Sequence, residues 1–255
     1  MARESKKESA VSRKPVRRWA LAIAGVAVCT AAAIVLLHRY AVNGRQFALS
    51  RDHRDGLAID GLRYTSRAKV QRIFAADADR SVFSVPLEER RRRLLAIDWV
   101  EDASVSRIWP DRLAVRIRER TPVAFVEVES SVMLIDAYGT LMETPTRAVF
   151  AFPVLGGVRA DDPPARRLEA VSTLLRVENE LGPLMKDVSE VNAADPSDIR
   201  IVAQVGGRVT ELILGDEDLA LRYRNFLNHY AEIRKRSPDM RVFDLRLHDR
   251  ILALE

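Results

Sequence analysis

The stretch from residue 19 to residue 37 constrains this chain more than any other, because it reads WALAIAGVAVCTAAAIVLL without a charged side chain. A helix of this length rises about 1.5 Å per residue and can cross a hydrocarbon core of about 30 Å. A core helix of a soluble domain would need a polar face, which this run lacks. The sequence therefore predicts a membrane-spanning helix over residues 19–37.

Basic side chains outnumber acidic ones before this run, which predicts that the N-terminus stays in the cytoplasm. They are Arg3, Lys6, Lys7, Arg13, Lys14, Arg17 and Arg18, against Glu4 and Glu8. Residues 1–18 are then a cytoplasmic tail, and the chain from about residue 38 is exported to the periplasm.

Two other interpretations of the apolar run are a cleaved signal peptide and a lipoprotein signal. Residues 31–33 offer an Ala-x-Ala cleavage site, but apolar residues continue through residue 37, so cleavage would fall inside the run. Val28, before Cys29, is bulkier than the small residue that a lipoprotein site usually has. The sequence favours an uncleaved, single-pass anchor in the lipid bilayer.

The net charge of +5 lies entirely in the cytoplasmic tail. The exported region carries equal numbers of basic and acidic residues and is formally neutral. Binding of nucleic acid depends on clustered excess positive charge that neutralises phosphates. The charge distribution therefore argues against a nucleic-acid partner.

The exported region offers no candidate catalytic residue, metal ligand set or cofactor site. The only cysteine, Cys29, lies within the apolar run, which excludes an exported thiol nucleophile. The histidines lack a second ligand at helical spacing, and no phosphate-loop, zinc-protease or serine-hydrolase motif is present. Residues 216–218 are acidic but precede a helix, whose positive end carboxylates favour. Carboxylates that only folding brings together stay open as an alternative.

Residues 55–120 predict the order strand, helix, helix, strand, strand. A short strand ends at Gly61, Ser66 is an N-cap, and Pro86 opens the second helix. Residues 99–107 and 113–117 are predicted strands joined by a Trp-Pro-Asp-Arg turn. The basic run at residues 90–93 is predicted to be a solvated face of the second helix.

Residues 121–255 predict a mixed α/β domain built on an antiparallel-rich sheet. Two amphipathic helices are expected, one after Pro163–Pro164 and one from Leu219, and a hairpin turns at Gly206–Gly207. Strands are predicted over residues 123–128, 132–135, 188–191, 199–205, 209–214, 242–247 and 250–255. Residues 38–54 are a predicted juxtamembrane linker, and the whole chain is assigned to the α+β class.

The first exported domain combines Ile59-Asp60-Gly61, the helix pair, and a segment from Trp99-Val100 through the Trp-Pro-Asp-Arg-Leu turn to Glu-Arg-Thr-Pro-Val-Ala at residues 119–124. In these residues it resembles the POTRA domain of the FtsQ/DivIB bacterial cell-division proteins. The second domain is similar to the FtsQ β-domain at residues 133–136, 152–156, 212–215 and 244–246. The short basic tail and single anchor match that family too.

The last predicted strand is a candidate docking edge. An exposed edge strand can accept a partner strand by main-chain hydrogen bonding. From the residues alone, partner docking and simple completion of the sheet stay open. The resemblance implies docking, because the last strands of the FtsQ β-domain bind the FtsB subunit of an FtsB–FtsL coiled coil. The candidate residues are Leu247, Arg250, Ile251, Leu252, Ala253 and Leu254.

The resemblance also implies a recruitment patch on the second POTRA strand, with an FtsK-type protein as its partner. The matching positions are Asp102, Val105 and Arg107, of which Val105 could equally belong to the core.

The expected function is a bitopic inner-membrane scaffold of the division septum that acts by protein–protein binding and uses no cofactor. One alternative is a membrane-anchored periplasmic cell-wall enzyme. The other is a POTRA protein of outer-membrane assembly, which would need a following series of alternating barrel strands.

Overall fold

The structure is a computed structural model that describes residues 14–50, 56–146, 148–247 and 250–254. Helix α1 (Lys14–Asn43) contains the apolar run and continues past residue 37. Within it, residues 22–43 form a helix long and apolar enough to cross a membrane, and none of that part is buried against the protein. Ile23 and Leu36 expose about two thirds of their surface, at 67% and 68%. Such exposure fits a helix whose apolar side chains face lipid.

Contacts divide the chain into two compact units. The first consists of the described part of Met1–Asp60 together with Ala68–Arg91 and Ser104–Arg116. The second consists of Gly61–Arg67, Arg92–Ala103 and the described part of Ile117–Glu255.

The predicted order strand, helix, helix, strand, strand is confirmed. The elements are β1 (Leu57–Asp60), α2 (Arg67–Ile73), α3 (Leu87–Leu95), β2 (Val100–Ile108) and β3 (Arg112–Glu119). The three strands form a sheet in the order β1-β3-β2, in which β1 runs parallel to β3 with Leu57 opposite Leu113. Parallel pairing requires a long crossover, which the two helices and β2 provide.

The prediction of a solvated face at residues 90–93 is wrong for Arg90. This side chain is buried and pairs with the fully buried Asp77, with its Nε 2.5 Å from one carboxylate oxygen and an Nη 2.8 Å from the other. Asp77 lies in a short 3-10 turn, Ala75–Asp77, thirteen residues earlier. The pKa of Arg90 is raised chiefly by its hydrogen bond to Asp77, and the two side chains form a buried salt bridge. Arg92 and Arg93 are exposed, as expected.

The Glu-Arg-Thr-Pro-Val-Ala segment has a structural role in the second unit. The Glu119 carboxylate accepts hydrogen bonds from the main-chain N–H groups of Arg63, Tyr64 and Thr65 at 2.7–3.1 Å. Arg120 donates from Nη1 to Asp136 at 2.8 Å, and Asp136 in turn accepts the amides of its own tight turn. The segment thus ties together a loop, a strand and a turn that are distant in sequence.

The second unit contains nine further strands among the described residues: β4 (Pro122–Val128), β5 (Ser131–Asp136), β6 (Leu141–Glu143), β7 (Val154–Gly156), β8 (Val188–Asn192), β9 (Ile199–Val205), β10 (Arg208–Gly215), β11 (Val242–Asp244) and β12 (Leu252–Leu254). They form one sheet in the order β12-β11-β10-β9-β8-β7-β4-β5-β6. Most neighbours are antiparallel; the pairs β4–β7, β7–β8 and β10–β11 are parallel. The predicted antiparallel-rich sheet is therefore confirmed.

Helices α4 (Pro164–Leu181) and α5 (Leu219–Arg236) bury one face each in the core of this unit. Val171, Leu174 and Val177 of α4 are fully buried at helical spacing, as are Tyr223 and Phe226 of α5. Burying side chains of this kind stabilises the fold by about 1.5–3 kcal/mol each. The remaining faces of both helices stay accessible, and that of α5 borders the candidate site.

Candidate functional site

The two ends of the nine-stranded sheet differ. At one end, the carbonyl oxygen of Glu143 on β6 accepts a hydrogen bond from the indole N–H of Trp99 at 2.9 Å. Trp99 also packs with Leu134, Met142 and a group of partly buried aromatic rings beside this edge. An unpaired strand edge is a template for adding another strand. The β6 edge is thus partly covered by the chain itself.

At the other end, β12 is the terminal strand among the residues that the structure describes. It pairs antiparallel with β11, with Val242 opposite Leu254, Phe243 opposite Ala253 and Asp244 opposite Leu252. All three β12 residues are exposed, Leu252 at 42% and Leu254 at 37%. Exposed leucines beside an unpaired main chain can bury apolar area when a partner strand is added.

A groove of about 600 Å³ lies between α5 and the segment that leads into β12. Leu247, Arg250 and Ile251 line it from the segment, so the structure places these predicted residues together, while Leu252, Ala253 and Leu254 form the strand. Ile251 is half-buried and packs on the core, whereas Leu247 is 47% exposed. The α5 side contributes Leu221, Arg222, Asn225, His229, Glu232 and Arg236.

Sequence reasoning missed the α5 wall of the groove. Its residues recur at intervals of three and four along the helix, beside the stripe of Tyr223 and Phe226 that enters the core. That spacing was a signal, but the periodicity of the helix does not show that the segment leading into β12 folds back to face it. The wall is mixed in charge, and Arg236 and Glu232 within it form an ion pair at 2.6 Å.

An ion pair between Arg246 and Asp244 lies at the end of β11, the strand next to β12. Arg246 donates from Nε and an Nη to the Asp244 carboxylate, the shortest contact being 2.6 Å, and its other Nη lies 3.3 Å from Asp198. Hydrogen bonds from Arg246 lower the pKa of Asp244 despite its burial. Since Asp244 lies opposite Leu252, this pair fixes the end of β11 against which β12 is laid.

The three residues of the predicted recruitment patch all lie on β2. Asp102, in the second unit, is exposed, and its Oδ1 accepts the Ala103 amide. Val105, in the first unit, is half-buried. Arg107, also in the first unit, donates to the carbonyl oxygens of Val82, Phe83 and Val85 at 2.6–3.3 Å. The Arg107 guanidinium therefore holds the turn before α3.

No group of three or more metal-ligating side chains lies close together among the residues described. What this geometry offers is a strand edge and an adjoining groove, which are features of a protein that binds an extended peptide.

One candidate membrane-spanning helix, a small β-α-α-β-β domain and a large mixed sheet together define an α+β protein with a two-domain region after the helix. Residues 56–120 match the FtsQ-type POTRA domain, and residues 124–246 match the C-terminal domain of the cell division proteins FtsQ and DivIB. The chain belongs to the FtsQ/DivIB family of cell-division proteins.

Proteins named cell division protein FtsQ from several bacteria resemble the chain. That of Koribacter versatilis is 33% identical over 92% of this chain and 69% of its own length. That of Novosphingobium aromaticivorans is 30% identical over 76% of this chain, and that of Streptomyces bingchenggensis is 30% identical over 57%. The alignments cover 59% and 54% of those two relatives, so the chain spans little more than half of their length.

Proposed function

We propose that this protein is an inner-membrane scaffold of the bacterial divisome, which links early and late division proteins at the septum by binding them. Helix α1 crosses the membrane with the basic N-terminus in the cytoplasm, and the chain that follows α1 lies in the periplasm. The family, the apolar α1 and the excess of basic residues before it support this arrangement. The role is binding, with no catalytic step.

The principal partner is an FtsB–FtsL-type coiled coil, whose exported segment adds a strand to β12. The observation that carries this proposal is the position of β12 at the end of the sheet with exposed Leu252 and Leu254. Main-chain hydrogen bonds to the edge supply affinity, and side chains entering the neighbouring groove supply specificity. Leu247, Arg250 and Ile251 contribute to that groove.

The test is calorimetric binding of the full chain, in detergent micelles, to the exported part of an FtsB–FtsL pair. Ala253→Pro removes a main-chain donor from β12 with little loss of side chain. Leu252→Asp places a charge where an added strand would cover it. Each is expected to weaken binding at least about tenfold, which corresponds to about 1.4 kcal/mol.

Val132→Asp is the matched control, because Val132 is also an exposed apolar strand residue, 61% accessible, but lies on β5. It should leave binding unchanged. Equal binding by the parent and both β12 variants, with circular dichroism showing all of them folded, would move the site away from β12. No binding by the parent would reject this partner while leaving the family assignment intact.

The recruitment of an FtsK-type protein through the β2 patch is a separate proposal. Because Arg107 is engaged with main-chain carbonyls, the exposed Asp102 is the better probe. Asp102→Lys should reduce septal localisation of the protein without changing its FtsB–FtsL binding. Unchanged localisation of this variant would argue against the patch.

A further inference from the structure

The passage from α1 into the rest of the first unit is a direct junction. Ser81 donates from its hydroxyl to the carbonyl oxygen of Ala41, in the last turn of α1, at 2.7 Å. After a 3-10 turn, Arg45–Phe47, the chain bonds to the unit again, with Val82 N–H donating to the Phe47 carbonyl at 2.8 Å. The part of the first unit that follows α1 is thus bonded directly to the last turn of that helix. A flexible spacer is absent from this described junction.

A chain of aromatic contacts runs from α1 to the turn between β2 and β3. The buried Phe47 ring contacts Tyr40 of α1 with ring centroids 5.9 Å apart, and it contacts Trp109 of the turn at 5.3 Å. Phe83 packs edge-on against both Phe47 and Trp109. Tyr40 and Trp109 themselves remain open, with 58% and 69% of their surface exposed.

The depth of Tyr40 follows from the helix geometry. The apolar run ends at residue 37, and Tyr40 lies one turn beyond it, a rise of about 5 Å. The interfacial layer outside the hydrocarbon core is about 5–7 Å deep on each side. If the hydrocarbon core ends where the apolar run ends, Tyr40 falls in this layer, and the Phe47 ring connects Tyr40 to Trp109.

An exposed tryptophan has an apolar body and one polar N–H, and this combination favours the boundary between headgroups and acyl chains. Three exposed arginines belong to the same segments: Arg39 and Arg45 flank Tyr40 after the apolar run, and Arg112 follows the Trp109 turn. Guanidinium groups at that level can pair with lipid phosphates.

We propose that the Trp109 turn inserts into the interfacial layer of the bilayer leaflet from which α1 emerges, so that the first unit is docked on the membrane surface. The partner is the phospholipid itself, acting through its glycerol and headgroup region. This inference rests on the membrane anchoring included in the proposed function. The continuity of α1, Tyr40, Phe47 and Trp109 favours lipid over a soluble protein as the occupant of this aromatic surface.

The three tryptophans of the chain allow a direct test with the full-length protein. Trp19 lies at the start of the apolar run, Trp99 is buried in the second unit, and Trp109 is the candidate lipid contact. The protein is reconstituted into phosphatidylethanolamine–phosphatidylglycerol vesicles that contain phosphatidylcholine brominated either near the glycerol or near the chain end. Difference spectra between the parent and Trp19→Phe or Trp109→Phe isolate each fluorophore.

The Trp109 component is expected to be blue-shifted and strongly quenched by the shallow bromines, with a clearly smaller loss from the deep ones. A control fluorophore is Arg116→Trp in the Trp109→Phe background. Arg116 is exposed on the same strand, β3, about 13 Å along from Arg112. Its emission should stay red-shifted and unquenched by either lipid.

Quenching of Trp19 without quenching of Trp109 would overturn the docking proposal and leave the anchoring intact. Quenching of neither tryptophan would reject both the docking and the membrane anchoring. Equal quenching of Trp109 and the Arg116→Trp fluorophore would also overturn it, because the contact would then not be specific to the turn. Trp109→Phe preserves an aromatic ring at an exposed position, so the difference spectrum is not confounded by unfolding.

Discussion

Glu119 provides the sharpest stability test of the contacts described above. Its carboxylate accepts three consecutive amides, from Arg63 at 3.1 Å, Tyr64 at 2.9 Å and Thr65 at 2.7 Å. Glu119→Gln keeps the size of the side chain but removes its charge, and it replaces one acceptor oxygen with an NH₂ donor that faces an N–H group. With the amide oxygen at the Oε1 position, the bonds from Arg63, Tyr64 and Thr65 become bonds to a neutral acceptor, and the second bond of the Tyr64 amide, to Oε2, is lost.

The magnitude follows from the bonds involved. A hydrogen bond to a charged group contributes about 1.5–3 kcal/mol, against about 0.5–1.5 kcal/mol for a neutral one. Weakening of three bonds at a half-exposed site gives an expected loss of about 2 kcal/mol in the free energy of unfolding. With a urea dependence of about 2 kcal/mol per molar, the midpoint should fall by about 1 M.

The pH dependence gives a second, independent readout. Burial alone would raise the pKa of Glu119, but contacts from Thr65 and the amides of Tyr64 and Arg63 outweigh it and lower the pKa. A carboxylate with a lowered folded-state pKa stabilises the fold above its unfolded pKa, about 4.3, and this contribution is lost as the pH falls through the folded value. The difference in the free energy of unfolding between parent and variant should therefore be constant near neutral pH and become smaller below about pH 4.

The assay is urea unfolding of the full chain in detergent, followed by tryptophan fluorescence, to which Trp99 of the second unit contributes. Glu127→Gln is the control, because Glu127 is exposed on β4, and it should change stability by less than about 0.5 kcal/mol. If Glu119→Gln behaves like Glu127→Gln, or if its effect persists unchanged at acid pH, the carboxylate does not hold the loop as described.

Three other substitutions test separate parts of the fold. Gly61→Ala should destabilise by at least about 3 kcal/mol in thermal melts, because Gly61 has φ +86° and an added Cβ would lie 1.8 Å from a main-chain oxygen; a normal melt would contradict this. Arg90→Met leaves the buried Asp77 with only its longer contact to Arg80, at 3.5 Å, and should lower the free energy of unfolding by about 3 kcal/mol in urea, whereas Arg92→Met on the exposed face should change it by almost nothing. Asp244→Asn should destabilise at pH 7 and progressively less below about pH 4, since the lowered pKa of Asp244 makes its contribution disappear as it protonates; a pH-independent effect would refute that reason.

Much of the fold could be predicted because its signals are local. The Trp-Pro-Asp-Arg turn and the alternation on either side of it predicted the β2–β3 pair. The Gly206–Gly207 hairpin predicted the β9–β10 pair, and both glycines have positive φ values, 56° and 78°, as a tight hairpin of this type requires. The family motifs, too, lie at turns and strand ends whose geometry depends on neighbouring residues.

The features that were missed depend on distant partners. Four consecutive arginines look solvated, and only the fold places Asp77 against one of them. Residues 38–50 show no sustained periodicity of apolar side chains, yet Phe47 and Leu49 within them are almost fully buried. The groove beside β12 exists only because the fold brings α5 next to the end of the sheet. A hydrophobic period describes one element, and it does not specify which element lies opposite.

The contrast between the two ends of the large sheet is itself an argument for β12 as the docking strand. Exposed edges promote unwanted pairing, and chains usually cover or shorten them. Here the indole of Trp99 covers a main-chain acceptor on β6, at a position where it also joins an aromatic cluster. The same protection was available in principle to β12, since α5 lies beside it, but a groove separates them. Among the described residues, an edge left open next to a groove, in a chain that partly covers its other edge, is the arrangement expected where a partner strand is to be added.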